Sequence, residues 1–191
     1  MKIGFAMTGS FCTYSRVFPV LKSLASSYEL FPILSQTAGH TDSRFGTGHS
    51  YIETLQNICG RNPIMTIQEA EPIGPKKLLD ALIIAPCTGN TLAKLSSSIA
   101  DGPVTMAAKS HLRNGRPVIL AVSTNDALSG AAENIGRLLA RKHYYFVPFG
   151  QDNALEKPTS MVADFSMIPD ALTLALEGKQ IQPLLIAGGQ K

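Results

Sequence analysis

Two polar turns carry the residues of this chain that are best suited to chemistry. The first turn contains Gly9 and Ser10, the second contains Thr88, Asn90 and Thr91, and each follows an apolar stretch. Hydroxyl and amide side chains at such turns cap helices and lie beside unpaired backbone N–H groups, which attract phosphates and electron-rich carbonyls. Glycine also lets the backbone approach a bound group closely. The turns therefore predict an anion-binding crevice, although a capped turn without a ligand has the same spacing.

The apolar stretches before both turns predict buried strands. Residues 82–85 form a short run without polar residues. Such a run is typical of a parallel strand covered on both faces, and we expect it to end at Pro86. The same reasoning predicts strands at 2–7, 29–35, 64–67, 117–122 and 144–147. Helical patterns lie between and after them, at 13–26, 50–59, 76–80, 104–113, 130–142 and 160–178.

Strands that alternate with helices indicate an α/β fold. We expect a doubly wound, mostly parallel sheet of about six strands with helices on both faces, flavodoxin-like or Rossmann-like, with residues 1–191 in a single domain. Ligands of such sheets bind outside the carboxyl ends of the strands. Ser35 and Ser123 also follow strands, so we expect them in the same crevice.

The last third of the chain is expected to be simpler. Residues 148–158 read as a polar loop, and the helix that follows is expected to break at Pro169. The tail beyond Gln180, including Gly188 and Gly189, is expected to fray or to dock on a neighbouring molecule of the assembly.

Charge and composition exclude several classes of function. Lys and Arg number 17 against 14 Asp and Glu, which gives a formal net charge of +3, and the cations are scattered along the sequence. This pattern predicts no nucleic-acid partner. A mildly positive field would favour an anionic substrate, although without a located patch a merely solvated surface is the simpler interpretation. Hydrophobic residues make up 45% of the chain and charged residues 16%. Such a balance suits burial between subunits, although a tightly packed monomer would have the same composition.

Metal and membrane functions are not expected. The three cysteines form no CxxC pair, and His40 and His49 have neither helical nor strand spacing. We therefore expect no metal site and no disulfide framework. No apolar run reaches the length that spans a bilayer, so we expect a cytoplasmic protein without a membrane partner.

Several segments resemble the signature of the flavoprotein family that contains the flavin-dependent cysteine decarboxylases. The matching segments are Thr8-Gly9-Ser10, Pro86, Asn90-Thr91-Leu92-Ala93-Lys94, Ile99-Ala100-Asp101 and Val104-Thr105. The resemblance implies FMN as cofactor, with the phosphate near Gly9 and Ser10 and the isoalloxazine nearer residues 88–91. It implies a homo-oligomer, a trimer or a multiple of it, with the flavin near the boundary between subunits. The cofactor-binding residues that we predict are Gly9, Ser10, Ser35, Thr88, Asn90, Thr91 and Ser123.

One branch of that family is similar over nearly the whole chain. Residues 73–77, 86–91 and 147–152 together resemble the branch that makes pyridine-2,6-dicarboxylate from a dihydropyridine precursor in the mother cell during sporulation. This resemblance implies a partner, an A subunit of dehydrogenase type that uses NAD(P), and a small dicarboxylate substrate. The family's decarboxylases carry a substrate-covering segment near 148–158, and we expect it to close over the substrate here. The substrate-binding residues that we predict are Asn125, Gln151, Asn153 and Lys157, although Lys157 could equally be a solvated surface lysine.

The sequence departs from the decarboxylase pattern at two places. No histidine lies between His49 and His111, where the decarboxylases have a catalytic base. The turn that holds Pro-x-Met-Asn in the decarboxylases retains only Asn125. The catalytic residues are therefore unknown at this level. The alternatives are a flavin-dependent decarboxylase or prenyltransferase, or an FMN-binding scaffold that activates the A subunit without catalysis of its own.

Overall fold

A computed structural model describes residues 1–187. In this range one mixed sheet of seven strands is covered by eight helices. The strands are β1 Lys2–Met7, β2 Glu29–Leu34, β3 Ala81–Cys87, β4 Val118–Thr124, β5 Tyr144–Phe146, β6 Phe149–Asn153 and β7 Lys157–Ala163. The helices are α1 Tyr14–Ala25, α2 Gln36–His40, α3 Gly48–Cys59, α4 Ile67–Ala70, α5 Gly89–Ser96, α6 Pro103–Leu112, α7 Ala132–Leu139 and α8 Ile168–Leu176.

The parallel part of the sheet has the strand order β2-β1-β3-β4-β5. The sequence-based prediction of a doubly wound, mostly parallel sheet is therefore confirmed. Strands β1 and β3 are neighbours, and the direction of strand succession reverses between them. In doubly wound sheets this reversal opens a crevice at the carboxyl ends of the two strands. The turns at Gly9 and Thr88 follow β1 and β3, so both lie at this crevice.

The far edge of β4 is shared by two partners. Its first half, Val118–Leu120, pairs with β5 in parallel, whereas Ser123 and Thr124 pair with β7 in antiparallel orientation. Strands β6 and β7 form a hairpin that extends the sheet at its carboxyl end. The hairpin thereby reaches the edge of the sheet where the crevice lies.

The prediction of a polar loop at 148–158 followed by a helix from 160 is wrong, because these residues form the hairpin. Residues 157–163 pair with both β4 and β6, and their burial is that of a strand. Asn153 organises the tight turn, since its side-chain oxygen accepts the N–H groups of Leu155 and Glu156 at 3.2 and 3.1 Å. The helix begins only at Ile168, and Pro169 occupies its first turn, where proline fits without breaking it.

Three further expectations for the middle of the chain are corrected. Ile64 makes a single bridge to Ile33 rather than a strand, because Thr66 and Glu69 form a capping box that starts α4. Residues 76–80 form a turn instead of a helix, since Lys77 takes a left-handed φ of 47°. Pro86 does not end β3. The ladder shifts register between residues 84 and 87, and Cys87 still pairs with β4.

The end of the described chain docks on its own sheet. Leu185 forms a bridge with Phe149 of β6, and the Phe149 N–H donates to Leu184 O at 3.1 Å. Gly188 and Gly189, for which we expected fraying or contact with a neighbour, lie outside the described residues. Among the helices of residues 1–187, none has both the length and the apolar character needed to cross a membrane.

His111 is a buried titratable group at the end of the molecule opposite the crevice. Its Nε2–H donates to Pro117 O at 3.1 Å, and its Nδ1 is buried without a hydrogen-bond partner among residues 1–187. Burial lowers the pKa of His111 to about 4, against the bond to Pro117 that favours the charged ring. Folding therefore requires the neutral ring.

This gives a prediction for stability against pH. The unfolded chain binds a proton at His111 below its ordinary pKa of about 6.5, whereas the folded chain resists protonation down to about 4, so stability falls as pH drops through that window. Between pH 7.5 and 5 we expect the free energy of unfolding to fall by about 2 kcal/mol from this group. Urea unfolding of the wild type and His111→Gln measures it. The variant should lose this pH dependence, whereas His49→Gln, at an exposed site, should keep it.

Candidate functional site

Thr8 joins the two polar turns of the crevice. This residue is buried, and its hydroxyl donates to Pro86 O at 2.7 Å and accepts the Thr88 N–H at 3.1 Å. One side chain at the end of β1 thus satisfies two backbone groups at the end of β3. The bridge sets the distance between the turn at Gly9 and the turn at Thr88.

The turn after β1 is held from a second side by an aromatic cluster. The Tyr14 hydroxyl donates to Thr8 O at 2.9 Å, and its ring packs edge-on against Tyr51 with the centroids 4.7 Å apart. Burial raises the pKa of Tyr14 far above its ordinary value, so the phenol stays protonated and can donate. At the surface of the turn, the Ser10 hydroxyl is hydrogen-bonded to the hydroxyl of Ser123, at the end of β4, at 2.7 Å.

The turn after β3 begins helix α5. The Thr88 hydroxyl caps the helix by accepting the Thr91 N–H at 3.3 Å, and the two hydroxyls lie 3.0 Å apart. Gly89 is required by packing, because a Cβ there would lie 2.6 Å from the carboxylate of Asp126 and 2.8 Å from the hydroxyl of Thr124. The turn is therefore locked between β1 and the loop after β4.

A small cavity of about 230 Å³ lies where the amino termini of α2, α5 and α6 meet. Helix amino termini present unpaired N–H groups and a partial positive charge, so the chemistry of this lining suits an anion. Lys94 and Asp101 border the cavity and form an ion pair at 2.9 Å. The hydrogen bond from Lys94 lowers the pKa of Asp101. The residues that line it are Thr8, Gly9, Ser35, Gln36, Thr37, Thr88, Asn90, Thr91, Lys94, Asp101, Gly102, Pro103, Val104 and Thr105.

A larger cavity of about 650 Å³ adjoins the small one, and Gly9 and Thr88 line both. Its walls come from the turn after β1, the loop after β4, the β6–β7 hairpin and residues 44–45. Its lining is Gly9, Ser10, Phe11, Cys12, Thr13, Arg16, Arg44, Phe45, Thr88, Ser123, Thr124, Asn125, Asp152, Lys157, Ser160 and Val162. The crevice therefore continues from an anion-binding pocket into a wider cleft under the hairpin.

The structure brings most of the sequence-predicted site residues together. Of the predicted cofactor-binding residues, Gly9, Ser35, Thr88, Asn90 and Thr91 line the small cavity, and Gly9, Ser10, Thr88 and Ser123 line the large one. Two of the predicted substrate-binding residues, Asn125 and Lys157, also line the large cavity.

Two predicted substrate-binding residues lie elsewhere. The amide of Gln151 donates to Pro158 O at 2.8 Å, and that of Asn153 donates to Glu156 at 2.9 Å, so both build the hairpin rather than line either cavity. Their assignment to the substrate stays a prediction that these hydrogen bonds do not support. Lys157 points its ammonium at Asp152, with 3.1 Å between Nζ and the carboxylate.

Sequence reasoning missed three contributors. Thr8 belongs to a matching motif but has no predicted role there, yet it carries the bridge. Arg16 and Arg44 line the large cavity but lie 28 residues apart on different elements, with no shared pattern to connect them. For Arg16 a usable signal existed, since it lies in the first turn of the helix that follows Gly9 and Ser10.

The comparison with known proteins decides the family. A family model described as Flavoprotein matches residues 1–163. The chain belongs to the flavoprotein family. The resemblance seen in its motifs is thereby confirmed, and it extends beyond the matched range. The chain is 43% identical over 190 residues to the B subunit of dipicolinate synthase from Bacillus subtilis (strain 168), which covers 99% of this chain and 95% of that protein.

Solved structures agree with this assignment. The crystal structure of the dipicolinate synthase B subunit from Bacillus halodurans matches this flavoprotein with a TM-score of 0.90 at 42% identity, covering 98% of this chain and 97% of that one. The FMN-dependent cysteine decarboxylase SpaF matches with a TM-score of 0.65 at 20% identity, over 92% of this chain and 97% of that one. The second likeness concerns the fold alone.

The crevice suits a flavin by its own chemistry. A Cβ built on Gly9 would lie 3.0 Å from the Thr37 methyl group, so any side chain at this position would intrude on the small cavity. That cavity offers hydroxyls and helix amino termini, which suit a phosphate. The wider cleft beside it offers room for a planar group.

The Thr8 bridge yields a prediction. Thr8→Val keeps the shape of the side chain but leaves Pro86 O and the Thr88 N–H without their partner, so we expect a loss of about 1–3 kcal/mol in the free energy of unfolding. Urea unfolding measures the loss. Thr173→Val is the matched control, because the Thr173 hydroxyl makes an exposed bond within α8, and its loss should cost much less. Equal effects of the two substitutions would contradict the bridge.

Proposed function

We propose that this chain is the flavin-binding subunit of a dipicolinate synthase, an oxidoreductase that forms pyridine-2,6-dicarboxylate from a dihydropyridine precursor during sporulation. The observation that carries the proposal is the double cavity at the end of β1 and β3, in a chain 43% identical over its length to the B subunit of a dipicolinate synthase. The small cavity suits a phosphate, and the larger one suits a ring and a substrate together.

The flavin-binding residues are proposed to divide between the two cavities. Gly9, Ser35 and Thr91 would hold the phosphate end, while Ser10, Thr88 and Ser123 would face the ring. This differs from the expectation for Ser10 and Thr91, because Ser10 lines only the large cavity and Thr91 only the small one. When bound, the flavin supplies an acceptor for a hydride, and the protein supplies position and the exclusion of water. The contribution of this chain is therefore to hold both groups at fixed positions in the cleft.

The partner is proposed to be the A subunit of dipicolinate synthase, a dehydrogenase-type protein that uses NAD(P). Conversion of a dihydropyridine ring to a pyridine removes two electrons and two protons, so one of the two subunits must bind the electron acceptor next to the ring. The cleft of this chain is bordered by the hairpin, whose Lys157 and Asp152 lie at its edge. Asn125 and Lys157 are the substrate contacts that we carry forward.

A second candidate is an FMN-binding scaffold that activates the A subunit. It is favoured by the titratable groups of the cleft, because no histidine lines either cavity among the described residues and Lys157 is paired with Asp152. A flavin-dependent decarboxylase fits less well, since the sequence departs from the decarboxylase pattern at both motif positions.

Assays of the separate and combined subunits distinguish these functions. We expect pyridine-2,6-dicarboxylate to form only when both subunits are present, and to form faster after FMN is supplied. Flavin that is reduced by the precursor in this chain alone would assign the redox step to this chain. Full activity with FMN-free protein would instead favour the scaffold, and activity of the isolated A subunit would contradict the proposed role.

The phosphate position is tested by Gly9→Val. The valine side chain would occupy the space between Gly9 and Thr37, so we expect FMN binding to weaken at least about tenfold, which corresponds to about 1.4 kcal/mol. Titration with FMN, followed by flavin fluorescence, measures it. Gly136→Val is a suitable control, because a Cβ at this exposed helical position meets no atom within 4 Å. Unchanged affinity in Gly9→Val would place the phosphate elsewhere.

The assembly of several copies of this chain is also proposed. We expect a homo-oligomer of at least three subunits, as the resemblance to the family implies, and several large apolar side chains on the surface agree with it. Leu155 at the hairpin tip is 95% exposed, and Ile99, Leu128 and Leu139 are each more than two-fifths exposed. Analytical ultracentrifugation in the presence of FMN should show a trimer or a multiple of it. A monomer at micromolar concentration would exclude this arrangement.

A further inference from the structure

The large cavity contains more positive charge than the sequence suggested. Arg16 of α1 and Arg44 of the loop before α3 line it together with Ser10, Thr88 and Ser123. The two arginines come from different elements, which gives them separate positions on the cavity wall. A ligand in this cavity therefore meets two guanidinium groups as well as the residues proposed to face the flavin ring.

Both arginines are available to a ligand. Within residues 1–187 neither forms an ion pair with a carboxylate of the chain, whereas Lys157 lies 3.1 Å from Asp152. Asp152 is the carboxylate that lines the cavity, and it is already engaged by Lys157. Arg16 and Arg44 are thus the two cations of this lining that pair with no carboxylate of the described chain. Lys157, which we propose as a further substrate contact, would have to leave Asp152 to bind an anion.

Aromatic rings hold the two guanidinium groups. The Arg16 guanidinium lies 5.3 Å from the centroid of Phe165, which is buried, and the Arg44 guanidinium lies 4.8 Å from the centroid of Phe45. Contact with the face of a ring restricts the plane of a guanidinium while its N–H edge stays open to a partner. The two arginines are in this way partly pre-organised for planar, two-point hydrogen bonding.

We propose that Arg16 and Arg44 form a clamp for the two carboxylates of one planar dicarboxylate, each arginine binding one carboxylate. Arginine pairs with a carboxylate through two parallel N–H···O bonds, which fix orientation as well as charge. A ligand with two carboxylates needs two such partners, because each carboxylate gives up water when it binds and a charge left unpaired is then costly. This inference rests on the proposed function and names the residues that select its substrate.

The clamp predicts selectivity rather than affinity alone. A dicarboxylate engages both arginines, whereas a monocarboxylate of the same ring engages one. The flavin-loaded wild type should therefore bind pyridine-2,6-dicarboxylate at least about tenfold more tightly than pyridine-2-carboxylate, since each further charged pair adds more than about 1.4 kcal/mol. Removal of either arginine should bring the two affinities together.

Calorimetric titration of the flavin-loaded chain, in the absence of its partner, tests this. We expect Arg16→Met and Arg44→Met each to weaken binding of the dicarboxylate about tenfold or more and binding of the monocarboxylate at most about twofold. Arg16→Lys and Arg44→Lys should lie between, because lysine keeps the charge but loses the planar fork. Flavin content, read from its visible absorbance, should stay at the wild-type value.

Arg61→Met is the matched control. Arg61 also stacks on an aromatic ring, at 3.9 Å from the centroid of Phe31, and it pairs with Glu29 at 2.8 Å, but it lines neither cavity. Its substitution should leave both affinities unchanged. The clamp is overturned if the wild type binds neither ligand or binds both with equal affinity. It is also overturned if the double variant, with both Arg16→Met and Arg44→Met, still prefers the dicarboxylate. Failure of the proposed function has a different signature, namely no product in the assay with both subunits despite intact, selective binding.

Discussion

The bridge from the Thr8 hydroxyl to Pro86 O and to the Thr88 N–H is the contact on which the functional end of this molecule depends. Strands β1 and β3 are joined along their length by backbone hydrogen bonds, but that ladder does not extend to the turns beyond them. A single buried hydroxyl continues the connection past the strand ends. Because a hydroxyl both donates and accepts, it can satisfy a carbonyl and an N–H at once. The two turns consequently share one frame.

That frame fixes the surrounding helices as well. Thr88 caps the start of helix α5, and helix α1 begins four residues after Ser10, so the positions of both helix starts depend on the two turns. The loop after β4 is drawn in through Ser10 and Ser123 on one side and through Gly89 and Asp126 on the other. The turns after β1 and β3 and the loop after β4 thus contact each other mainly through small side chains. Small side chains leave the space that a large cofactor needs.

The parallel half of the fold could be predicted from the sequence because each of its strands is a continuous apolar run, and every polar turn after a strand reaches the same edge. The hairpin could not be predicted in the same way. Its residues 148–158 are polar and contain glycine and two prolines, so they lack the apolar alternation of a strand. Their strand character comes from the pairing of β6 with β7, and β7 is in turn fixed on the sheet because Met161 and Val162 pair with β4. Both pairings are tertiary effects.

The candidate site divides along the same line. Gly9, Ser10 and Thr88 could be found because local turn chemistry places them at strand ends. The prediction that Gln151 and Asn153 contact the substrate assumes that they lie in an open loop. In the structure their side-chain amides donate hydrogen bonds within the hairpin. Arg16 and Arg44 have no local signature, since only the folding of α1 and residues 41–47 around one cavity brings them together. The spacing of two cations along the sequence does not show whether the fold brings them close together.

The hairpin covers the part of the β4 edge that β5 leaves open, and it thereby protects the sheet from aggregation. Beyond Leu120 the only strand that covers the outer edge of β4 within the described chain is β7, so without the hairpin the unpaired N–H and C=O groups of Ser123 and Thr124 would face outward. Open edges of this kind recruit strands from other molecules. The outer side of β6 is in turn covered by residues 184–186, which pair with Phe149. The segment that borders the cleft therefore also covers the edge of the sheet, so a shorter hairpin would widen the cleft only by exposing that edge.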